Sequence, residues 1–333
     1  MHQDTIMTAE KKQTIIGQSA KLQEIVRTTD LIAGTDVPVL ITGDTGTGKD
    51  LFAYRIHQKS LRKQRPFVKL NCSSLNASLT AKDADSVIFG AQLGIKKNSF
   101  AGANNDTQGL IAKARSGTLF FDNIDELPLE LQAKLLHFIE TGEIQASGFL
   151  SPQKYDVRVI AATHENLTKA VEASVFREDL YYRLNVIPLE LPALQEREND
   201  IILLIEHFFK EYVREKRLAA PTFSKTALKQ LMQYNWPGNI RELKNFSERM
   251  FILFSAREID LANLPQEIRC HSKSETRQES PFILPASGIK LESVEVDLML
   301  QALDKTSGNK SQAARLLGLT RDTFLYRLKK YSL

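Results

Sequence analysis

The sequence is poor in cysteine, with only Cys72 and Cys270 among its 333 residues. Two cysteines this far apart argue against a disulfide framework, and free thiols are typical of a reducing cytoplasm. The six histidines are scattered, and no His/Cys cluster has the spacing of metal ligands. These absences exclude a small disulfide-stapled fold and leave no candidate zinc site.

Long apolar runs are missing as well. None approaches the length of a membrane span, and residues 1–14 are too polar for a signal peptide. The apolar share of 42% and the charged share of 25% are ordinary for a soluble globular protein. We therefore expect a cytoplasmic chain with no membrane partner, long enough for two or three domains.

The net charge is only +4, but it is unevenly distributed. Residues 305–333 contain seven Lys or Arg and a single Asp, so they carry +6 and the preceding 304 residues sum to −2. Within this basic segment apolar residues recur at helical spacing: Ala313, Ala314, Leu316, Leu317, Leu319, Phe324 and Leu328. Two short amphipathic helices meeting at Gly318, the second capped by Thr320, predict a helix-turn-helix that binds duplex DNA.

Charge alone leaves two other interpretations of the basic segment, a solvated helix face and a helix lying on a membrane surface. The Ala314-xxx-Gly318 spacing favours the helix-turn-helix, because a small residue lets two helices touch and a glycine permits the turn. Such units usually act as dimers on repeated half-sites. The predicted DNA-binding residues are Lys310, Thr320, Arg321, Asp322, Thr323, Tyr326 and Arg327.

A glycine-rich loop follows the apolar run at residues 37–42, and a helical pattern with Leu51, Phe52 and Ile56 follows the loop. Strand, glycine loop, Lys and helix form a phosphate cradle of the Walker A type, in which Lys49 reaches the terminal phosphates. A glycine-rich turn without a ligand is the alternative interpretation. The predicted cofactor-binding residues are Gly43, Asp44, Thr45, Gly46, Thr47, Gly48, Lys49 and Asp50.

Four further apolar runs predict core strands at residues 67–70, 118–121, 157–163 and 186–189. Helical patterns separate them, notably at residues 131–139, before a C-terminal Gly142. This alternation predicts an α/β fold with a parallel sheet covered on both faces and phosphate beyond the strand ends. Asp122 ends the third strand, where a Walker B aspartate would hold magnesium.

Strand signals stop from Ile201 onward, and three amphipathic helices predict a separate helical lid. A polar segment with Pro281, Pro285 and Gly288 is typical of a linker, and a helix at about residues 291–303 precedes the helix-turn-helix. The predicted domains are a nucleotide-binding domain (15–195), a lid (196–268), a linker (269–289) and a DNA-binding domain (290–333).

Several segments together resemble the sigma-54 (RpoN) activators, the bacterial enhancer-binding proteins of the AAA+ class. The resemblance runs from about Ile15 to the C-terminus and is carried by GDTGTGKD (43–50), VKLNCSSL (68–75), SGTLFFDNIDELPLELQAKLL (116–136), VRVIAATHENL (157–167), FREDLYYRLNVIPLELPALQERENDI (176–201), WPGNIRELKN (236–245) and the Fis-type GNKSQAARLLGLTRDTFLYRLKKYSL (308–333). The acidic Asp50 matches a glutamate that the family has at this position, where other P-loops have Ser or Thr.

The resemblance implies ATP and Mg²⁺ as cofactors, with Lys49 on the phosphates, Asp122 on the metal and Arg241 as a sensor on the lid. It implies that Arg177 and Arg183 are arginine fingers that act on the nucleotide of a neighbouring subunit, hence a homo-oligomer, from a dimer to a hexamer. A surface arginine is more often just solvated, but these two lie six residues apart inside a matched segment. RNA polymerase with sigma-54 is the implied partner.

One departure from the family falls on the second Walker B residue, which is Asn123 instead of Glu. An amide cannot accept a proton from the attacking water, so we expect ATP binding to be better preserved than hydrolysis, and ATPase activity stays open. Asn71, which restrains that glutamate in the family, is expected to lack a partner. Glu126 is no replacement, because the family also has a glutamate there.

A second departure falls on the family's GAFTGA loop, which contacts sigma-54. Here it reads Asn98-Ser-Phe-Ala-Gly-Ala103, so Phe100 and Gly102 are kept and Ala101 replaces the threonine. The segment between Gly90 and Phe100 is also longer than in the family. Both changes argue against productive engagement of sigma-54.

The sequence leaves four interpretations of function. Two are regulators: an active sigma-54 activator, and a degenerate regulator that binds ATP and DNA without remodelling sigma-54 polymerase. The other two are a AAA+ motor that processes DNA and an architectural DNA-binding protein. The Fis-like end opposes the third and the intact Walker A opposes the fourth. About 14 residues precede the matched region, so we expect no sensor domain, and regulation by expression level, by a ligand at the nucleotide pocket or by a partner protein in trans.

Overall fold

The computed structural model describes residues 14–78, 81–90, 109–144, 151–197, 199–269, 290–306 and 308–331, which fall into two units divided near residue 272. The strands are β1 (Val39–Thr42), β2 (Phe67–Asn71), β3 (Thr118–Asp122), β4 (Glu143–Ile144), β5 (Gln153–Lys154), β6 (Arg158–Thr163), β7 (Ile187–Glu190), β8 (Thr222–Phe223) and β9 (Glu258–Ile259). The α-helices are α1 (Ala20–Ala33), α2 (Lys49–Lys59), α3 (Ser73–Ser78), α4 (Ala81–Phe89), α5 (Leu110–Lys113), α6 (Leu129–Thr141), α7 (Leu167–Glu172), α8 (Glu178–Leu184), α9 (Asp200–Lys216), α10 (Lys225–Gln233), α11 (Asn239–Leu253), α12 (Gln266–Arg269), α13 (Leu291–Lys305), α14 (Lys310–Leu316) and α15 (Arg321–Lys330).

The larger unit is built on a parallel sheet with the strand order β2-β3-β6-β1-β7. Every neighbouring pair in it is parallel, so the carboxyl ends of all five strands lie along one edge. These are the five strands that the apolar runs predict, with small shifts at their ends. The loop after β1, which lies between β6 and β7, leaves the sheet at this carboxyl edge, where α/β sheets bind ligands.

Both faces of the sheet are buried, as the sequence predicts. Side chains alternate along each strand, so Leu119 and Phe121 pack with α6 and α8 while Phe120 packs on the opposite face with α1 and α2. Helix α6 ends at Gly142, which has the left-handed φ of +72° of a helix-terminating glycine. The α/β fold class is confirmed.

Helices α9 to α12 form the lid around their own core, which includes Phe208, Trp236 and Phe251. One expectation was wrong here: strands do not stop at Ile201, because β8 and β9 pair in parallel within the lid. Each is two residues long, too short to produce an alternating pattern in the sequence. Within the described residues no helix is long and apolar enough to cross a membrane.

The smaller unit contains α13 to α15 around a core of Met299, Ala302, Ala313, Ala314, Phe324 and Leu328. Helix α14 ends in a Schellman motif: the amide of Gly318 donates to the carbonyl of Arg315 and the amide of Leu319 to that of Ala314. Gly318 has φ +65°, so the turn itself requires a residue that tolerates left-handed backbone. The predicted helix-turn-helix is confirmed. Of the predicted linker, only Arg269 lies within the described residues, at the end of α12.

Candidate functional site

The glycine loop (residues 43–48) joins β1 to α2 at the carboxyl edge of the sheet. Lys49 is the first residue of α2 and is 9% exposed, with its Nζ donating to the carbonyl oxygens of Gly43 (2.6 Å) and Asp44 (3.0 Å). Burial lowers the pKa of Lys49, while the carboxylates of Asp122, Asp50 and Asp44 oppose that shift. A lysine held inside a glycine loop at a helix N-terminus is suited to bind phosphate.

The lid packs directly against the glycine loop. Gly46 has φ +82°, and a Cβ there would lie 2.3 Å from the carbonyl oxygen of Gly238. Both the left-handed backbone and the close contact with the lid therefore require glycine at this position. The buried Asn239 donates to the carbonyl of Thr45 (3.1 Å) and accepts from the amide of Leu194 (2.7 Å). Glycine loop and lid thus form one continuous hydrogen-bonded site.

Arg197 adds a second link on the same side of the glycine loop. Its buried guanidinium donates to the carbonyls of Thr47 (3.0 Å) and Pro192, and burial lowers its pKa to about 10. Sequence reasoning missed both Asn239 and Arg197 as individual site residues. The available signal was that each lies in a segment that carries the family resemblance.

The carboxyl ends of β2 and β3 lie beside the first turn of α2. Asn71 and Asp122 are partners in the strand register. Lys69 points its Nζ between two carboxylates, 2.6 Å from Asp50 Oδ2 and 2.9 Å from Asp122 Oδ2. Burial alone would lower the pKa of Lys69, but its bonds to Asp50 and Asp122 outweigh burial and raise it. Sequence reasoning missed Lys69 altogether.

Asn123, the Walker B departure, is part of a hydrogen-bonded chain. Its side-chain nitrogen donates to Ser73 Oγ (2.9 Å) and makes a long bond to Asn71 Oδ1 (3.4 Å). Ser73 in turn donates to Glu126 Oε1 (2.6 Å). The expectation that Asn71 lacks a partner was wrong. Its amide oxygen accepts from the side chain of Asn123 (3.4 Å) and from the backbone amide of Ser73 (3.1 Å).

Strand β6 ends beside this chain. Thr163, in the segment that resembles sensor I, is buried and donates from its hydroxyl to the Asp125 carboxylate. The same hydroxyl accepts from the amide of Glu165 (2.9 Å). Polar side chains from three neighbouring strand ends thus converge at the carboxyl edge.

The three predicted arginines occupy different places. Arg241 lies on the lid, its Cβ 3.1 Å from the position of a Cβ on Gly46. Arg177 precedes α8 and forms a two-point ion pair with Asp179. Arg183 lines a cavity together with Ser116 and Val157, residues that precede β3 and β6 and therefore lie at the amino edge of the sheet. Of the three, the structure brings only Arg241 to the glycine loop of its own chain.

The candidate DNA-binding surface lies on α14 and α15. Lys310, Arg321, Asp322 and Tyr326 are exposed, as predicted, and Thr320 caps α15 by accepting from the amide of Thr323 (3.3 Å). Thr323 is half-buried, and its hydroxyl bonds to that of Thr320 (2.7 Å). The guanidinium of Arg327 is paired with Glu295 of α13, and its contact with DNA stays a prediction.

The predicted sigma-54 contact residues Phe100, Ala101 and Gly102 lie outside the described residues. The described ends of that segment meet, since a Cβ on Gly109 would lie 2.4 Å from the amide nitrogen of Gly90.

Comparison with known families assigns nearly all of the chain. Residues 15–190 match the sigma-54 interaction domain, residues 195–281 match the AAA+ ATPase lid domain, and residues 290–331 match the Fis family of bacterial regulatory proteins.

The chain is also similar to several known proteins and solved structures. The transcriptional regulatory protein ZraR of Salmonella typhimurium is 41% identical over 318 residues, covering 95% of this chain and 68% of ZraR. XylR of Pseudomonas putida is 39% identical over 327 residues, covering 95% of this chain and 56% of XylR. The structure of NtrX from Brucella abortus in complex with ADP superposes with a TM-score of 0.69 at 27% identity, covering 97% of this chain and 70% of that one. For NtrX in complex with ATP the TM-score is 0.68 at 28% identity, with 97% and 71% covered.

Proposed function

The chain belongs to the family of sigma-54-dependent transcriptional activators, and we propose that it is a bacterial transcription regulator that binds ATP and duplex DNA. The observation that carries the proposal is the buried Lys49 within the glycine loop, closed over by the lid at Gly46 and Asn239. ATP binds between the loop and the lid, and α15 enters the major groove.

ATP fits the residues that surround the loop. Glycine at position 46 lets the loop lie against the lid backbone at Gly238, Lys49 supplies the cation, and Arg241 approaches from the lid. The NtrX structures in complex with ADP and ATP are consistent with a nucleotide at this place in the fold. Because Asn239 hydrogen-bonds the loop, the position of the lid depends on how the loop is occupied.

Magnesium fits these residues less well. Asp50 and Asp122 offer the carboxylate oxygens that magnesium prefers, but the Lys69 ammonium already lies between them. The ammonium thus occupies the place of a metal ion that would be held by both carboxylates.

Arg183 supports an oligomer as the functional form. It lines a cavity at the amino edge of the sheet, whereas the glycine loop leaves the carboxyl edge, so Arg183 is directed away from its own loop. A guanidinium in that position acts on the phosphates of a neighbouring copy, where it would stabilise charge on the transferred phosphoryl group. We propose the same for Arg177, and hence a homo-oligomer.

A degenerate regulator is the second candidate, favoured by Asn123. Its amide donates to Ser73, so the position where a carboxylate would accept a proton presents a hydrogen-bond donor. In this variant the protein binds ATP and DNA and controls a promoter without remodelling sigma-54 polymerase. The altered sequence of the loop containing Phe100, Ala101 and Gly102 also favours this candidate.

The proposal predicts that the two binding activities separate. Lys49→Ala removes the cation from the loop and should abolish ATP binding in calorimetry while leaving DNA binding intact. Lys59→Ala, which changes an exposed lysine at the far end of the same helix, should leave both activities intact. Unchanged ATP affinity in Lys49→Ala would refute the nucleotide site.

A truncation after residue 288 provides the second arm of this experiment. It removes α13 to α15 and should eliminate footprinting on DNA while the remaining body still binds ATP. DNA binding by the full chain should fall steeply with added salt, because phosphate contacts dominate such affinity. Specific footprinting by the truncated chain would refute the assignment of DNA binding to the C-terminal unit.

A further inference from the structure

Lys69 brings a third element to the nucleotide site. Its ammonium lies 2.6 Å from Asp50 Oδ2 and 2.9 Å from Asp122 Oδ2. The two carboxylates come from the first turn of α2 and the end of β3, and Lys69 reaches them from β2. The same ammonium lies 5.6 Å from the centre of the Phe120 ring, which adds a cation–π contact on a further side.

Two of the three charges are largely shielded from water. The side chains of Lys69 and Asp122 are 20% and 17% exposed, whereas that of Asp50 is 55% exposed. Charges that are partly removed from water interact more strongly than surface pairs and are screened less by salt. Two carboxylates brought this close to one position would repel each other without a cation between them.

A divalent ion and Lys69 compete for the same place. A cation held jointly by Asp50 and Asp122 must lie between their oxygens, which is where the ammonium lies. The two ammonium groups of Lys49 and Lys69 balance the charges of the Asp50 and Asp122 carboxylates. The carboxylates therefore need no metal to become compatible with an anionic ligand.

We infer that the Lys69 ammonium acts as a built-in counter-ion between Asp50 and Asp122, so that nucleotide binding depends little on Mg²⁺. This inference rests on the proposed nucleotide site and adds a property to it. Asp122 is held through Oδ2 by a side chain of its own protein, and a Mg²⁺ ion shared with Asp50 Oδ2 would have to displace that side chain. The protein would then be a nucleotide-binding switch rather than a metal-dependent motor.

The test compares ATP affinity in excess Mg²⁺ with ATP affinity in EDTA, measured by calorimetry on the full chain. The wild-type affinity should differ by less than about threefold between the two buffers. In Lys69→Met the two carboxylates lose their counter-ion, so removing Mg²⁺ should weaken binding by about tenfold or more. Lys69→Arg keeps a cation and should behave like the wild type, and Lys59→Met is the matched control for loss of a lysine.

The outcomes are distinguishable. Loss of wild-type ATP binding in EDTA, with normal binding in Mg²⁺, overturns the inference and leaves the proposed function intact. Absence of ATP binding in both buffers overturns the proposed function and the inference with it. Equal Mg²⁺ dependence in the wild type and a folded Lys69→Met, judged by thermal melting, also overturns the inference. If Lys69→Met does not fold, Lys69→Arg decides the question. The inference is overturned if ATP binding by Lys69→Arg requires Mg²⁺ while that of the wild type does not, because the guanidinium keeps the positive charge between the two carboxylates.

Discussion

His57 links protonation to the stability of the helix that carries Lys49. It lies on the buried face of α2, 2% exposed, with its Nδ1 3.0 Å from Thr118 Oγ1 and its ring against Phe67. Burial lowers its pKa to about 4, so the folded protein keeps this ring neutral at a pH where an unfolded chain begins to bind a proton.

The consequence is a loss of stability in mild acid. Between the ordinary histidine pKa of 6.5 and the folded value of about 4, the unfolded state binds more protons, so stability falls as the pH falls. We expect a contribution of about 3 kcal/mol to the free energy of unfolding to be lost across this window. Denaturant unfolding should show it in the wild type and a flatter dependence in His57→Gln. Parallel pH dependences in the two proteins would contradict this assignment.

Some residues of the candidate site could be predicted from the sequence and others could not. The glycine loop with Lys49, and Asp122 at a strand end, follow from local spacing, because a phosphate loop is a contiguous motif. Lys69 does not, since an isolated lysine in a strand looks like a solvated side chain until its partners on α2 and β3 are known. The same holds for Asn71, whose contact with Ser73 needs the observed turn after β2.

Among the elements, α15 separates two arginines that look equivalent in the sequence. Arg321 and Arg327 are both basic, and both lie on the predicted recognition helix. In the structure Arg321 is exposed in the first turn, whereas Arg327 pairs with Glu295, which also accepts from the hydroxyl of Tyr331 (2.6 Å). Arg327 therefore connects α15 to α13.

Two matched substitutions test this separation, since each removes one positive charge. Arg321→Ala should weaken DNA binding and reduce its salt dependence with no change in thermal stability. Arg327→Ala should lower the melting temperature of the C-terminal unit slightly, as expected for a partly exposed pair, with little effect on DNA binding. Equal stabilities with equal losses of DNA affinity would show that both arginines face the DNA.

The positions of most strands and helices could be predicted, because each leaves a periodic or contiguous pattern of apolar residues or a capping residue in the sequence. The five apolar runs became β1, β2, β3, β6 and β7, and Gly142, Gly318 and Thr320 ended or began the helices expected of them. Strands β8 and β9 were not predictable, since their pairing joins residues from distant parts of the lid. The partner of Arg327 was hidden for the same reason.

For the whole molecule, the binding of ATP and the hydrolysis of ATP require different residues. ATP binding uses the glycine loop and the lid, which contact each other through Asn239 and Gly46. Hydrolysis needs a base near the terminal phosphate and an arginine from a neighbouring copy. Asn123 provides no base, whereas Arg183, at the opposite edge of the sheet, is available to a neighbouring copy. We therefore propose that ATP binding is retained and that hydrolysis is weakened at Asn123.

The rate of phosphate release by the purified full chain, compared with that of Asn123→Glu, tests this central claim most directly. Asn123 has φ +55°, a conformation that glutamate tolerates less well, so thermal melting must first show that the variant is folded. With saturating ATP and excess Mg²⁺, restoring the carboxylate should raise turnover by about 10²-fold or more, while Asn123→Gln stays at the wild-type rate. Brisk turnover by the wild type, unchanged in Asn123→Glu, would contradict the account.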